Sequence, residues 1–286
     1  MEYNYKNYDL GLLCKLRHWI PIEKINWPYL SANPNAIHLL EKNMQKIYWS
    51  GLSENPNAIH LLEKNMKKIY WSGLSANPNA IHLLEQNPDK ICWMSLSKNP
   101  NAISLLEKNM DKIDWVLLSR NPNAIHLLEQ NMDKIHWHEL SLNPNAIHLL
   151  EMYPDKICWM LLSKNPNAIH ILEQNMDKID WVILSRNPNA IHLLEKFPER
   201  IDWFWLSQNP NAIHLLEQPN VIRLLEKNIN NISWVLISSN PAIFEYDYEA
   251  MRNRMRLIAE ELIANRFHPK NMSKFVSWGF DDFNIE

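Results

Sequence analysis

Asn77-Pro78-Asn79-Ala80-Ile81-His82-Leu83-Leu84-Glu85-Gln86, then Asn87-Pro88-Asp89-Lys90-Ile91-Cys92-Trp93-Met94-Ser95-Leu96-Ser97-Lys98, is one unit of a 22-residue sentence that runs along most of the chain. Trp27, Trp49, Trp71, Trp93, Trp115, Trp137, Trp159, Trp181 and Trp203 follow one another at 22-residue intervals, and Trp234 comes after a step of 31. The core Asn-Pro-Asn-Ala-Ile occurs nine times between Asn33 and Ile213. A unit this short cannot bury its apolar face alone, so tandem copies must stack on one another. The expected fold is all-α: an α-solenoid of short two-helix repeats with N- and C-terminal caps.

Each half of the unit opens on Asn. Asn is a strong N-cap, and Pro is tolerated at the first helical position, where its missing N–H has no intrahelical partner anyway. Asn also tolerates the left-handed backbone that closes a helix. With four glycines in the chain, it is expected to serve there as well. Asp89, Asp111 and Asp177 fall in a first helical turn, where the dipole favours them. The structural rival is the leucine-rich repeat, whose period also spans 22 residues. That fold needs an alternating strand, which Leu-Ser-x-Asn-Pro does not provide, so helix pairs are favoured.

At 100° per residue, Ala36, Ile37, Leu39 and Leu40 share one side of the first helix and His38 lies nearly opposite. On the second helix Trp93, Leu96 and Ser97 share a face. The tryptophan reads as the main apolar anchor of each unit, since such a ring buries roughly 150–250 Å2.

Three segments are expected. Residues 1–26 form an N-terminal cap and first half-repeat, 27–240 the tandem array, and 241–286 a C-terminal helical cap. An extra helix is expected near 218–227, where Pro219-Asn220-Val221-Ile222-Arg223-Leu224-Leu225-Glu226-Lys227 looks like a second copy of the first helix. Tyr248–Phe267 reads as a longer amphipathic helix stopped by His268-Pro269, with a short helix around Met272–Trp278. Residues 91–129 and 157–195 agree at 34 of 39 positions, the mark of a copied three-repeat block.

The closing segment carries a resemblance. Phe244-Glu245-Tyr246-Asp247-Tyr248-Glu249-Ala250-Met251, Glu260-Glu261-Leu262, His268-Pro269 and Trp278-Gly279-Phe280-Asp281 resemble the C-terminal tails of uncharacterised repeat proteins of giant, Mimivirus-like DNA viruses. The Asn- and Ile-rich repeat is similar to theirs. The resemblance implies a viral protein of the infected-cell cytoplasm or the virion, not secreted, and implies no active site.

Net charge is −3 over 286 residues, so no basic excess points to nucleic acid. No apolar run reaches the length of a membrane span, and Met1–Lys6 lacks the layout of a secretory signal. Cys14, Cys92 and Cys158, odd in number and sparse, read as reduced thiols. There is no Gly-rich phosphate loop, paired-Cys zinc spacing or activated-nucleophile motif. Neither catalysis nor a cofactor is expected.

Polar ladders recur with the repeat. His38, His60, His82, His126, His148, His170, His192 and His214 sit one per unit. Helices about 8–10 Å apart cannot converge such imidazoles on one ion, so a local pair such as His38 with Glu41 is the simpler reading and no metal is expected. A proton-sensing surface stays open as an alternative. Ladders of Glu (Glu41, Glu63, Glu85 and their equivalents) and Lys (Lys46, Lys68, Lys90, Lys112, Lys134, Lys156, Lys178) largely cancel and read as solvated faces.

Candidate partner-binding residues lie where the repeat varies. They are Asp114, His136, Asp180 and Asp202 before the tryptophan, then Val116-Leu117, His138-Glu139, Met160-Leu161, Val182-Ile183 and Phe204-Trp205 after it, and Arg120, Lys164 and Arg186 five beyond it. A fixed framework with one variable face suits a peptide or partner helix, and packing against the adjacent row is the competing explanation. The leading expectation is a non-enzymatic scaffold for a host or viral protein. A structural component of a virion is the alternative, and nucleic-acid binding a weaker one.

Overall fold

Two short helices and two tight turns make each unit, as the fifth repeat shows. Trp115–Ser119 is the tryptophan helix, Ile125–Glu129 the isoleucine helix, and Met132–Lys134 a 3-10 turn leading to the next tryptophan. The computed structural model describes residues 13–212 and 233–266. The architecture is the helical repeat that the period predicts, with helix boundaries that differ from the sequence reading.

The expected 12-residue second helix is broken. Ile135 (φ −63°, ψ 125°) and His136 (φ −91°, ψ 91°) are extended, so the helix starts at Trp137. The break turns the Ile135 side chain into the core, and it frees the residue before each tryptophan to cap. Asp114 Oδ1 accepts from Leu117 N at 2.9 Å, and Asp180, Asp202 and Ser233 cap in the same way. The expected left-handed Asn is also absent at the helix ends. Asn131 has φ −134° and ψ 54°, and its amide instead donates to Leu127 O at 2.8 Å.

Buried polar side chains join one repeat to the next. In all ten, the serine four residues after the tryptophan donates to the tryptophan carbonyl. The same oxygen accepts the backbone N–H that precedes the tryptophan of the following repeat. Asn121, two residues beyond Ser119, donates both amide hydrogens to the preceding repeat, 3.0 Å to Ser97 O and 2.9 Å to Asn99 O. Its Oδ1 accepts from Asn123 N at 3.0 Å, an Asx turn closed by Pro122. Both amide donors are used and the oxygen is occupied, so a fully buried polar group carries no unmade bond.

The array closes on itself. Asn33 donates to Ser238 O and Asn240 O, Asn26 N donates to Ser238 Oγ, and Asn35 Nδ2 donates to Pro241 O. These are the bonds that every other neighbouring pair makes, here between the first repeat and the tenth. Residues 1–26 and 241–286 are the expected N- and C-terminal caps, and the curvature of the array between them is not given by the sequence. In one compact unit, residues 16–244, the first and tenth repeats meet, so the array is a ring whose two end faces satisfy each other. Neighbouring Trp-helices touch through the first six repeats, and the first touches the last, while successive Ile-helices stay farther apart. The Trp-helices are therefore the inner row.

The core is leucine and alanine: Leu118, Leu128 and Ala124 have no exposed surface, nor do their equivalents in most repeats. The tryptophans are only half-buried. Their rings are shared with the lysine of the turn that leads to the next tryptophan, whose Nζ sits 4.4–4.9 Å from the ring centroid in seven pairs, Lys24 over Trp234 among them. Most of the lysine ladder thus makes cation–π contacts, worth about 0.5–1 kcal/mol each when exposed, while Lys156 lies 3.9 Å from Asp155. Tyr153 and Phe197 pack their rings at steep angles, 58° and 66°, against Trp137 and Trp181, 5.0 and 5.2 Å away, and the Arg200 guanidinium also lies 5.8 Å from the Trp181 ring.

Strands Cys14–Leu16 and Phe244–Tyr246 pair as a two-stranded sheet. The other compact unit comprises residues 1–15 and 245–286. Within it Lys15 pairs with Glu245 at 3.8 Å, and Asp247 Oδ1 accepts from Ala250 N at the start of the helix Tyr248–Arg266. The extra helix expected near 218–227, His214, and the segment from His268-Pro269 to Trp278 lie outside the described residues.

Candidate functional site

The scaffold fixes the tryptophan, leucine, serine and asparagine of each inner helix and leaves two positions facing away from the core, one and five residues after the tryptophan. Helical geometry puts this i, i+4 pair on one face. In repeats five to nine the first position holds Val116, His138, Met160, Val182 and Phe204. The four apolar members are 44–49% exposed. The second position holds Arg120, Leu142, Lys164, Arg186 and Gln208.

The remaining sequence candidates divide by environment. Asp114, His136, Asp180 and Asp202 are helix caps, with His136 Nδ1 accepting from Glu139 N at 3.3 Å. Leu117, Glu139, Leu161, Ile183 and Trp205 are half-buried between adjacent inner helices. The variable face is therefore part cap, part packing and part open surface.

Several candidates meet. Arg120 Nε lies 3.3 Å from Glu139 Oε2. The Phe204 and Trp205 rings meet edge-on at 5.1 Å, and the Arg186 guanidinium sits 4.4 Å from the Trp205 ring centroid. Arg120, Leu142, Lys164, Pro166, Arg186 and Pro188 line one cavity of about 320 Å3. Burial, with the Arg186 and Arg120 charges nearby, lowers the Lys164 ammonium to about 8 from its ordinary 10.5. Pro166, Pro188 and Gln208 are absent from the sequence candidates, because two belong to the invariant Asn-Pro-Asn-Ala turn and the third looks like ordinary surface.

The histidine ladder is paired, with a partner other than the expected one. His60, His82, His126, His148, His170 and His192 place Nε2 2.9–3.1 Å from the glutamate of the preceding repeat, not from the glutamate three residues on. Stacking in register brings that neighbour closer than any local spacing shows. His136, His138 and Glu139 form a separate group with one ligating atom each within 4.8 Å. There Glu139 is already paired with Arg120, and His136 Nδ1 is committed to its cap.

No helix among the described residues is long and apolar enough to cross a membrane. A scan of protein-family models and searches of curated proteins and of solved structures find no match to this chain. The likeness to the giant-virus repeat proteins rests on the quoted residues alone.

Proposed function

We propose that this chain is a non-catalytic helical-repeat ring that binds a protein partner, host or viral, along its inner wall. The observation that carries this reading is the row Val116, Met160, Val182 and Phe204: apolar side chains, nearly half exposed, in one register on the inner helices of the fifth, seventh, eighth and ninth repeats. Nothing in the framework requires them, since the same position holds Pro28, Ser50, Ser72 and His138 elsewhere. An apolar row beside cationic side chains suits a peptide or amphipathic helix, with the apolar contacts giving affinity and the charges orientation.

The test is quantitative capture by the wild-type ring and by a Met160→Ser, Phe204→Ser double variant. Both sites are exposed, so the variant should keep the wild-type circular dichroism and melting curve. It should lose most of the protein retained by the wild-type bait. Equal retention, or a loss seen only together with unfolding, would overturn the reading.

A further inference from the structure

Four consecutive repeats bring Arg120, Leu142, Lys164 and Arg186 to one open cavity of about 320 Å3. Three of its six lining residues are cationic and none is acidic. The fold does not demand this, because the same register holds Ala32, Glu54, Ala76 and Ser239 in other repeats. Like charges at such a site repel one another, and low-dielectric walls strengthen the repulsion.

The cations are held in different ways. Arg120 is paired with Glu139 from the side, at 3.3 Å. Arg186 donates from Nη2 to Gln208 Oε1 and lies against the Trp205 ring. Its Nε is buried with no hydrogen-bond partner. The Lys164 ammonium has no hydrogen-bond or ion-pair partner among the described residues, and the charges that act on it are the Arg186 and Arg120 guanidiniums. One carboxylate set against three cations leaves about two positive charges unbalanced, with an N–H donor unused beside them.

We propose that this cavity binds a small phosphomonoester, its phosphate held by Lys164 and Arg186 with Arg120 at the rim, and its organic body resting on Leu142, Pro166 and Pro188. A phosphomonoester carries about −1.5 to −2 charges at neutral pH, which matches the local excess. Guanidinium and ammonium groups are the donors that recognise such oxyanions. The volume falls at the small end of ligand sites, roughly 300–1,000 Å3. The cavity lies beside the apolar row on the same face, and phosphate binding there is a separate claim from capture of a protein partner.

Calorimetric titration at pH 7 and constant ionic strength tests it, using phenyl phosphate, inorganic phosphate and a phosphoserine peptide as probes. Phenyl phosphate should bind saturably with a submillimolar Kd and inorganic phosphate several-fold more weakly. The peptide, too large for the cavity, should bind no tighter than inorganic phosphate. Lys164→Leu and Arg186→Gln introduce residues that the same register already uses at 142 and 208. Each should weaken phenyl phosphate at least tenfold, while Lys98→Leu, in register but outside the cavity, should leave Kd unchanged. Absence of saturable heat, equal losses from Lys98→Leu and Lys164→Leu, or tighter binding of the peptide would overturn the proposal. Circular dichroism and gel filtration of each variant separate lost binding from lost fold.

Discussion

Asn33 Nδ2 lies 2.9 Å from the carbonyl oxygen of Asn240, the same bond that Asn55 makes to Asn33 at 2.8 Å. The first and last repeats are therefore neighbours like any others. Their apolar faces meet each other, which removes the need for the polar outer faces that terminal repeats of open arrays require.

The asparagine clamp should tolerate no carboxylate. Asn121→Asp deletes two donors and points a buried charge at the Ser97 and Asn99 carbonyls, a change expected to cost about 3–5 kcal/mol. Ser119→Ala removes one donor to Trp115 O and the acceptor for His136 N, and should cost about 1–3 kcal/mol. Urea unfolding measures both, and an Asn121→Asp variant as stable as wild type would contradict the clamp.

Leucine, not tryptophan, should be the costlier core deletion per atom removed. Leu118 is fully buried, and its replacement by Ala should cost about 3–4 kcal/mol. Trp115 is half-exposed beneath Lys134. Trp115→Ala should cost about 2 kcal/mol, below the range of about 3–5 for fully buried aromatics. Chemical denaturation of the two variants checks the order.

At Gly51 and Gly73 an inner helix lies close against the one before it. A Cβ at Gly51 would lie 2.8 Å from the Pro28 carbonyl oxygen, a backbone atom that cannot swing aside. At Gly73 the nearest atoms are 3.1 Å away, and one of them is the flexible Glu54 Cγ. Gly51→Ala should therefore cost about 1–3 kcal/mol, as overpacking does, and Gly73→Ala clearly less. Melting temperatures of the pair test the ranking.

Lys164 should make stability depend on pH in an alkaline window. Its folded pKa, about 8, lies below the ordinary 10.5 because of burial and the Arg186 and Arg120 charges. Between those values the unfolded chain binds more protons, so the penalty of charging Lys164 is full below pH 8 and fades as pH rises toward 10.5. Lys164→Leu should stabilise the ring at pH 7 by about 1 kcal/mol, after discounting for partial exposure. That advantage should shrink by pH 10. A gap that stays constant from pH 7 to 10 would contradict the assignment.

The period made the stacked helix pairs legible, because a spacing of 22 residues between tryptophans survives any error in helix boundaries. The broken second helix was not legible. Ile135 and His136 suit a helix by pattern, and only the burial of Ile135 and the capping role of position 136 make them extended. Ser119 and Asn121 were visible as invariant residues, yet their bonds cross 17 to 24 residues of sequence, beyond the reach of local rules. Ring closure was hidden for the same reason, since it depends on the small rotation between repeats, summed over ten of them. The cations were among the variable residues, but their convergence at Lys164 follows from which helix row lies inside.

Closure is tested most directly by pulsed electron spin resonance on spin-labelled cysteine pairs, with Cys14, Cys92 and Cys158 replaced by Ser. Pro28 and Val235 occupy the residue after the tryptophan in the first and tenth repeats, and Val116 and His138 occupy it in the fifth and sixth. The ring predicts overlapping distance distributions for the 28–235 and 116–138 pairs. A 28–235 distance near 70–90 Å, the span of nine helix spacings of about 8–10 Å in an extended array, would contradict it.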